Sequence, residues 1–199
     1  MATLPSQGKL LYHITHFDNL SSILEYGLMP RRTLLANEYG FVDIADPDIL
    51  SKREEYQSAL SQFVLFHFYP KNPFDCAVCN SYGSENMAII AISRSLYRKY
   101  DFHIIPSHPL NSNTPDICSY EDGITHIQWD ILDRTGGIDR DYRNPEIRKA
   151  CMAECISEYT IPPEAFSFIY VYTDQAKGKI LSMNNSDLIN VQVAPYMFP

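Results

Sequence analysis

The sequence predicts an α+β fold in which a mixed central β-sheet carries short peripheral helices. Three observations carry that reading. Two nearly continuous apolar runs, Phe63 to Pro70 and Met87 to Ile92, have the pattern of strands buried on both faces. The helical signals are short and interspersed among the strands, which argues against a doubly wound parallel sheet. No glycine-rich GxGxxG or GxxxxGKS/T loop is present, so the usual phosphate-cradling folds are disfavoured.

The elements follow in order. Leu10 to Ile14 reads as a first strand, and Asp18 can cap a helix in which Leu20, Ile23 and Leu24 fall at i, i+3 and i+4 before Gly27 ends it. Pro30 to Pro47 has little periodicity and several charges, the mark of a long irregular loop of the kind that often carries function; a short helix is expected around Asp48 to Tyr56. After the two buried strands, Pro145 stands in the first turn of a helix through PEIRKACM, and AECISEYTI then alternates as a strand does. Phe166 to Thr173 and Ile189 to Val193 supply two more strands. No repeat, low-complexity tract or linker divides the chain, so residues 1–199 are expected to form a single domain, long enough to bury a core.

Composition narrows the partners. A formal charge of -8 and a pI near 5.1 give no global field that would attract a polyanion, so any nucleic-acid contact must be local. No segment approaches the ~18 apolar residues of a membrane helix. The opening MATLPSQGK lacks the charged start and apolar run of a signal peptide, and a cytoplasmic protein that does not meet a membrane is expected. Five cysteines, an odd count without a secretion signal, predict free thiols. Cys76 and Cys79 have the CxxC spacing of half a zinc site, but no second CxxC or HxxxH follows, so no metal is expected.

Five residues have the chemistry of a nucleotide site. His13 and His16 are three apart, and if Leu10 to Ile14 is a strand they leave on different faces and cannot share a metal in the helical manner. His13 beside Thr15 offers a ring nitrogen and a hydroxyl that suit a ribose or a carboxamide. Glu154 is flanked by Met152, Ala153, Cys155 and Ile156, an apolar setting in which a carboxylate is seldom found without a purpose. A carboxylate beside a ribose can orient the 2′-hydroxyl and stabilise positive charge at the anomeric carbon. Glu158 on the same alternation competes for that role, and a solvated strand edge is the ordinary reading of both. Arg53 offers the planar fork that binds phosphate bidentately, and His108, between Pro106 and Pro109, has a restrained backbone that could aim its ring. Alone, Arg53 has the ordinary reading of a solvated helix cation, and His108 merits no more than a surface-loop assignment.

Taken in order, these segments resemble the DarT family, bacterial toxins that use NAD to ADP-ribosylate bases of single-stranded DNA. The resemblance runs through LYHITHFDNLSSILEYGL, DILSKR, LSQFVLFHFYPKNPF, IIPSHP, ITHIQWDIL and MAECISEY, almost the whole chain. It implies an ADP-ribosyltransferase-like fold with NAD as co-substrate. It also implies a toxin of a toxin–antitoxin or phage-defence system, with an antitoxin as possible partner. On it, His13 would contact NAD with Thr15 beside it, Arg53 would steady the diphosphate and help expel nicotinamide, Glu154 would be the catalytic carboxylate, and His108 would assist near the acceptor base. His16 is expected to support the start of the following helix instead. The sequence departs from the family where Phe74 and Asp75 replace a Met-Leu pair after the central strand, a turn expected near the site.

An acidic chain must hold a single strand by stacking and local charge. Lys52, Lys71, Arg134 and Arg140, with Tyr69 and Tyr142 to stack, are the candidates, each of them equally an ordinary surface residue. Transfer to RNA or to protein on the same fold, or a catalytically silent NAD- or nucleic-acid-binding module, are the competing readings. Against the silent module stands the joint presence of His13, Arg53, His108 and Glu154.

Overall fold

The computed structural model describes residues 3–44, 60–108, 116–134, 140–183 and 189–199. The expected helix around Asp48 to Tyr56, with Lys52 and Arg53, lies outside them. The strands of the described residues form one mixed sheet: β1 (Leu10–His16), β2 (Val64–His67), β3 (Met87–Ser93), β4 (His103–Ile105), β5 (Cys118–Ser119), β6 (Glu154–Ser157), β7 (Phe166–Val171) and β8 (Val191–Val193). Their order across the sheet is β5-β4-β6-β2-β1-β3-β7-β8. All neighbours are antiparallel except β7 and β8, which run parallel, so the expected α+β class with a mixed sheet is what forms.

Apolar residues sit on both faces because the central strands are covered on both sides. One face gathers Leu11, Phe66, Phe68, Ile90, Ile104 and Cys155 under Leu20, Ile23 and Leu24 of helix α1 (Leu20–Tyr26). The other gathers Ile14, Met87, Ile89 and Ala91 against Val78 and Cys79. Helix α1 ends as its sequence indicates: Gly27 adopts φ +88, its N–H donates to Ile23 O, and a Cβ there would stand 2.8 Å from Ile161 O. Its start differs from the expectation. Asp18 does not cap it; a single 3-10 turn, Phe17–Asn19, precedes the helix, and His16 Nδ1 accepts from Asp18 N at 3.3 Å. His16 thus supports the helix start, as the sequence reading has it.

Two segments are more regular than their sequences suggest. Within the stretch read as an irregular loop, helix α2 (Arg31–Ala36) forms behind an extended Pro30, and only residues 37–44 remain irregular among those described. Helix α3 (Pro73–Tyr82) contains the CxxC pair. Asn72, fully buried, caps it by accepting from Phe74 N and Asp75 N, with Pro73 in its first turn. Among the described residues, no third metal-ligating side chain gathers with Cys76 and Cys79, and burial raises both thiols' pKa values. No helix of the described residues is long and apolar enough to cross a membrane.

Candidate active site

β1 carries a full ladder on one side and an opening on the other. Against β3 it pairs from Leu10 opposite Ser93 to His16 opposite Met87; against β2 the register is Tyr12 opposite His67. Past that pair the strands part, and the gap is a cleft holding a cavity of about 370 Å³. Its lining is mostly apolar with a few polar groups, the composition of a small-molecule site. His13, Thr15 and Asn19 reach it from the β1 side, and His67 and Glu154 from the other.

His13 bridges the gap. Its Nδ1 lies 2.8 Å from Leu65 O, near where the β1–β2 ladder fails to continue. A carbonyl only accepts, so Nδ1 carries the proton and Nε2 is left as an acceptor. Burial lowers the imidazole's pKa, with the Leu65 carbonyl pulling the other way, which keeps the ring neutral at pH 7. Thr15 is buried, and its hydroxyl oxygen accepts from Asn19 Nδ2 at 3.1 Å, leaving its O–H to donate.

Asn19 organises this wall, a role the sequence reading does not assign. Besides Thr15, its Nδ2 donates to Val42 O at 2.9 Å, and its Oδ1 accepts from Val42 N at 2.7 Å. Arg31 Nε donates to Asp43 Oδ2 at 2.9 Å, and Tyr82 Oη donates to Asp43 O at 3.2 Å. These bonds fasten the 41–44 segment beside the cleft. An asparagine ahead of a helix is a recognisable cap signal; its bonds to a segment more than twenty residues away are not written in local pattern.

The floor is made by β2 and β6. Glu154 is 2% exposed, and its Cα partners are His67 in β2 and Ile105 in β4. Glu158, its competitor, is exposed beyond the end of β6 and does not line the cleft. His67 is buried with Nδ1 3.3 Å from Ala153 O, and its ring packs 6.1 Å from that of Phe74. His67 is hidden in the sequence because the run around it reads completely as a buried strand. Phe74 lines the cavity, so this departure from the family pattern does face the cleft. Asp75 does not: buried, it accepts from Lys71 N at 2.8 Å, and burial pushes its carboxyl up to about 7 against the pull of the Lys71 and Asn72 donors.

The remaining candidates divide. Arg53 lies outside the described residues. His108 does not line this cleft; its backbone N–H donates to Lys149 O at 3.0 Å, three residues beyond Ile105, the residue opposite Glu154. Lys71, Arg140 and Tyr142 come together next to the Phe74 turn. Tyr142 Oη donates to Lys71 O at 2.8 Å, and the Arg140 guanidinium stands 4.7 Å over the Tyr69 ring. Tyr69 is therefore not a platform for a base: it is 5% exposed, one face is under Arg140, and its hydroxyl points to Cys151 O. Arg134 lies apart, paired with Asp130 at 4.0 Å.

A family profile described as "ssDNA thymidine ADP-ribosyltransferase, DarT" matches residues 12–199. The chain belongs to the DarT family. A "DNA ADP-ribosyl transferase-DNA ADP-ribosyl glycohydrolase fusion protein" of Thermosipho africanus is 26% identical over 195 residues, covering 94% of this chain and 49% of the relative, so the chain spans about half of that protein. The "DNA ADP-ribosyl transferase" of Escherichia coli is 25% identical over 191 residues, covering 88% of this chain and 86% of the relative. Among DarT structures, that of Thermus sp. 2.9 in complex with ADP-ribosylated ssDNA superposes with a TM-score of 0.79 at 21% identity, over 96% of each chain. The same DarT in complex with carba-NAD+ gives 0.77 at 20% identity, with all of both chains covered. These two likenesses show the DarT fold in this chain.

Proposed function

We propose that this chain is an NAD-dependent mono-ADP-ribosyltransferase acting on a base of single-stranded DNA, thymidine first. The observation that carries the reading is the buried Glu154 carboxylate in the cleft where β1 and β2 part, in a chain of this family. In the reaction, the bond between ribose C1′ and the nicotinamide nitrogen breaks and its electron pair leaves with nicotinamide. A base nitrogen forms the new bond to C1′, and its proton is given up to a base.

The residues divide that work by their chemistry. Neutral His13 offers Nε2 to a ribose hydroxyl, and Thr15 offers its O–H from the same lip. Glu154 would hold negative charge where C1′ becomes positive and would take the proton. Its interaction strengthens as charge develops, which is what lowers a barrier. Arg53 would hold the diphosphate, and His108 would serve the acceptor side, one strand beyond Glu154. Lys71, Arg140 and Tyr142 give a local basic and aromatic path to the Phe74 edge of the cleft, which an acidic protein needs.

By the same reading residues 1–199 act as one transferase domain of a cytoplasmic toxin, countered by an antitoxin. The glycohydrolase fused to the Thermosipho relative supports the last point. The test is mass spectrometry of nucleosides after incubating the protein and NAD with DNA oligonucleotides, RNA oligonucleotides and lysate protein. ADP-ribosyl-thymidine from DNA is the expected product. Label confined to RNA or to protein would replace the acceptor, and intact NAD in every arm would make the chain a binding module.

A further inference from the structure

The described residues gather one cluster of metal-ligating side chains, and it is not at the cleft. Cys118 Sγ, a carboxylate oxygen of Asp122 and a ring nitrogen of His126 all lie within 4.8 Å of one another. The spacing explains the meeting: each is four residues from the next. Asp122 and His126 share a face of helix α4 (Tyr120–His126), and Cys118 lies in β5 just before the Ser119 cap. His126 Nδ1 and Asp122 Oδ2 are 3.8 Å apart, and Cys118 Sγ donates to Asp116 Oδ1 at 3.9 Å, which stands outside the three. Ligand atoms around a tetrahedral zinc lie about 3.3–3.8 Å apart, so small rotations of these part-exposed side chains close the set.

We propose that Cys118, Asp122 and His126 bind a divalent transition metal of the zinc class, with water in the fourth position. One thiolate, one imidazole and one carboxylate form a borderline-soft donor set, which selects zinc-like ions over calcium or magnesium. Binding deprotonates the thiol, and its proton goes to solvent. The position gives the ion a structural task. β5 is a two-residue edge strand whose Cys118 is opposite Ile104 of β4, and Gly123 of α4 lies so close to β4 that a Cβ would be 2.5 Å from that of Ile104. The next residue of β4, Ile105, is opposite Glu154. A metal tying β5 to both ends of α4 therefore clamps the layer one strand from the proposed catalytic carboxylate. Among the described residues, the CxxC pair gathers no third ligand.

The test is cobalt titration of the tag-free, reduced full chain, read by the thiolate-to-cobalt charge-transfer band, with zinc displacement and melting curves in parallel. The parent and a Cys76→Ser control should bind one equivalent with the band, and zinc should raise their melting temperature. Cys118→Ser and His126→Ala should each lose the band and the zinc-induced shift while keeping the parent's circular dichroism. A parent without the band, a band that survives in Cys118→Ser, or one abolished by Cys76→Ser would overturn the proposal.

Discussion

The two flanks of β1 differ in what they are for. On the β3 flank, His13 is opposite Ile90 in an unbroken ladder, and Ile90 is in turn opposite Ile169 of β7. On the β2 flank the same His13 spends its imidazole on Leu65 O, and polar groups line the opening. A strand that closes on one side and opens on the other gives a site a rigid back wall and a polar front. The lesson is that the proposed chemistry hangs on residues one backbone step from an apolar core. Substitutions on the two flanks should therefore fail in different ways.

The largest expected effect lies on the closed flank. Ile90→Ala removes a fully buried side chain from the middle of the sheet and should cost about 2–5 kcal/mol of stability, read by denaturant or thermal unfolding. Transfer measured well below its melting temperature should change far less. A variant of full stability would mean that the β3 flank does not hold the wall.

On the open flank the signs reverse. Glu154→Gln keeps the volume and removes the charge, so we expect a loss of at least ~100-fold in turnover, comparable to removing one electrostatic stabiliser. Melting should stay within about 1 kcal/mol of the parent and NAD affinity should be little changed. Exposed Glu158→Ala is the control and should transfer normally. If Glu158→Ala is inactive and Glu154→Gln is not, the carboxylates have been assigned in the wrong order.

A smaller effect is expected at Arg53, whose role rests on its place in the sequence. Arg53→Lys keeps the charge and loses the fork, and NAD binding and cleavage should weaken by about tenfold, or about 1.4 kcal/mol. Unchanged NAD kinetics would return Arg53 to the surface.

What the sequence discloses follows the same division. The closed flank is legible because burial on both faces leaves a pattern: Met87 to Ile92 and the run around Phe66 read as strands and are strands. Glu154 is legible for the opposite reason, as one charge in an apolar run. His67 is not, since a single imidazole in that run looks like part of the strand, and Asn19 is not, since its partner Val42 is distant in sequence. The same limit hides α3, whose Asn72-Pro73 start is a cap signal overshadowed by its two cysteines. It also hides the Cys118, Asp122 and His126 cluster, whose spacing gains meaning only when α4 begins at Tyr120. Spacing reports on faces of known elements; it does not report where elements begin.

The smallest expected effect tests the seam itself, through pH. His13 is partly buried, and the loss of solvent around its ring makes its pKa in the folded protein lower than in the unfolded chain, where it is near 6.5. Below that value the unfolded chain binds a proton that the folded protein resists. The stabilisation is therefore present above pH 6.5 and is lost as pH falls toward the depressed folded value. One proton limits the slope to about 1.4 kcal/mol per pH unit. His13→Asn places an amide N–H near the position of Nδ1, retains a donor for Leu65 O, and cannot titrate. The parent's unfolding free energy should fall relative to that of His13→Asn as pH drops from 7 to 5, the Asp75 contribution cancelling between the two, while NAD affinity weakens at every pH because the Nε2 acceptor is gone. Identical pH dependences for the two proteins would show that His13 does not hold the seam as a neutral ring.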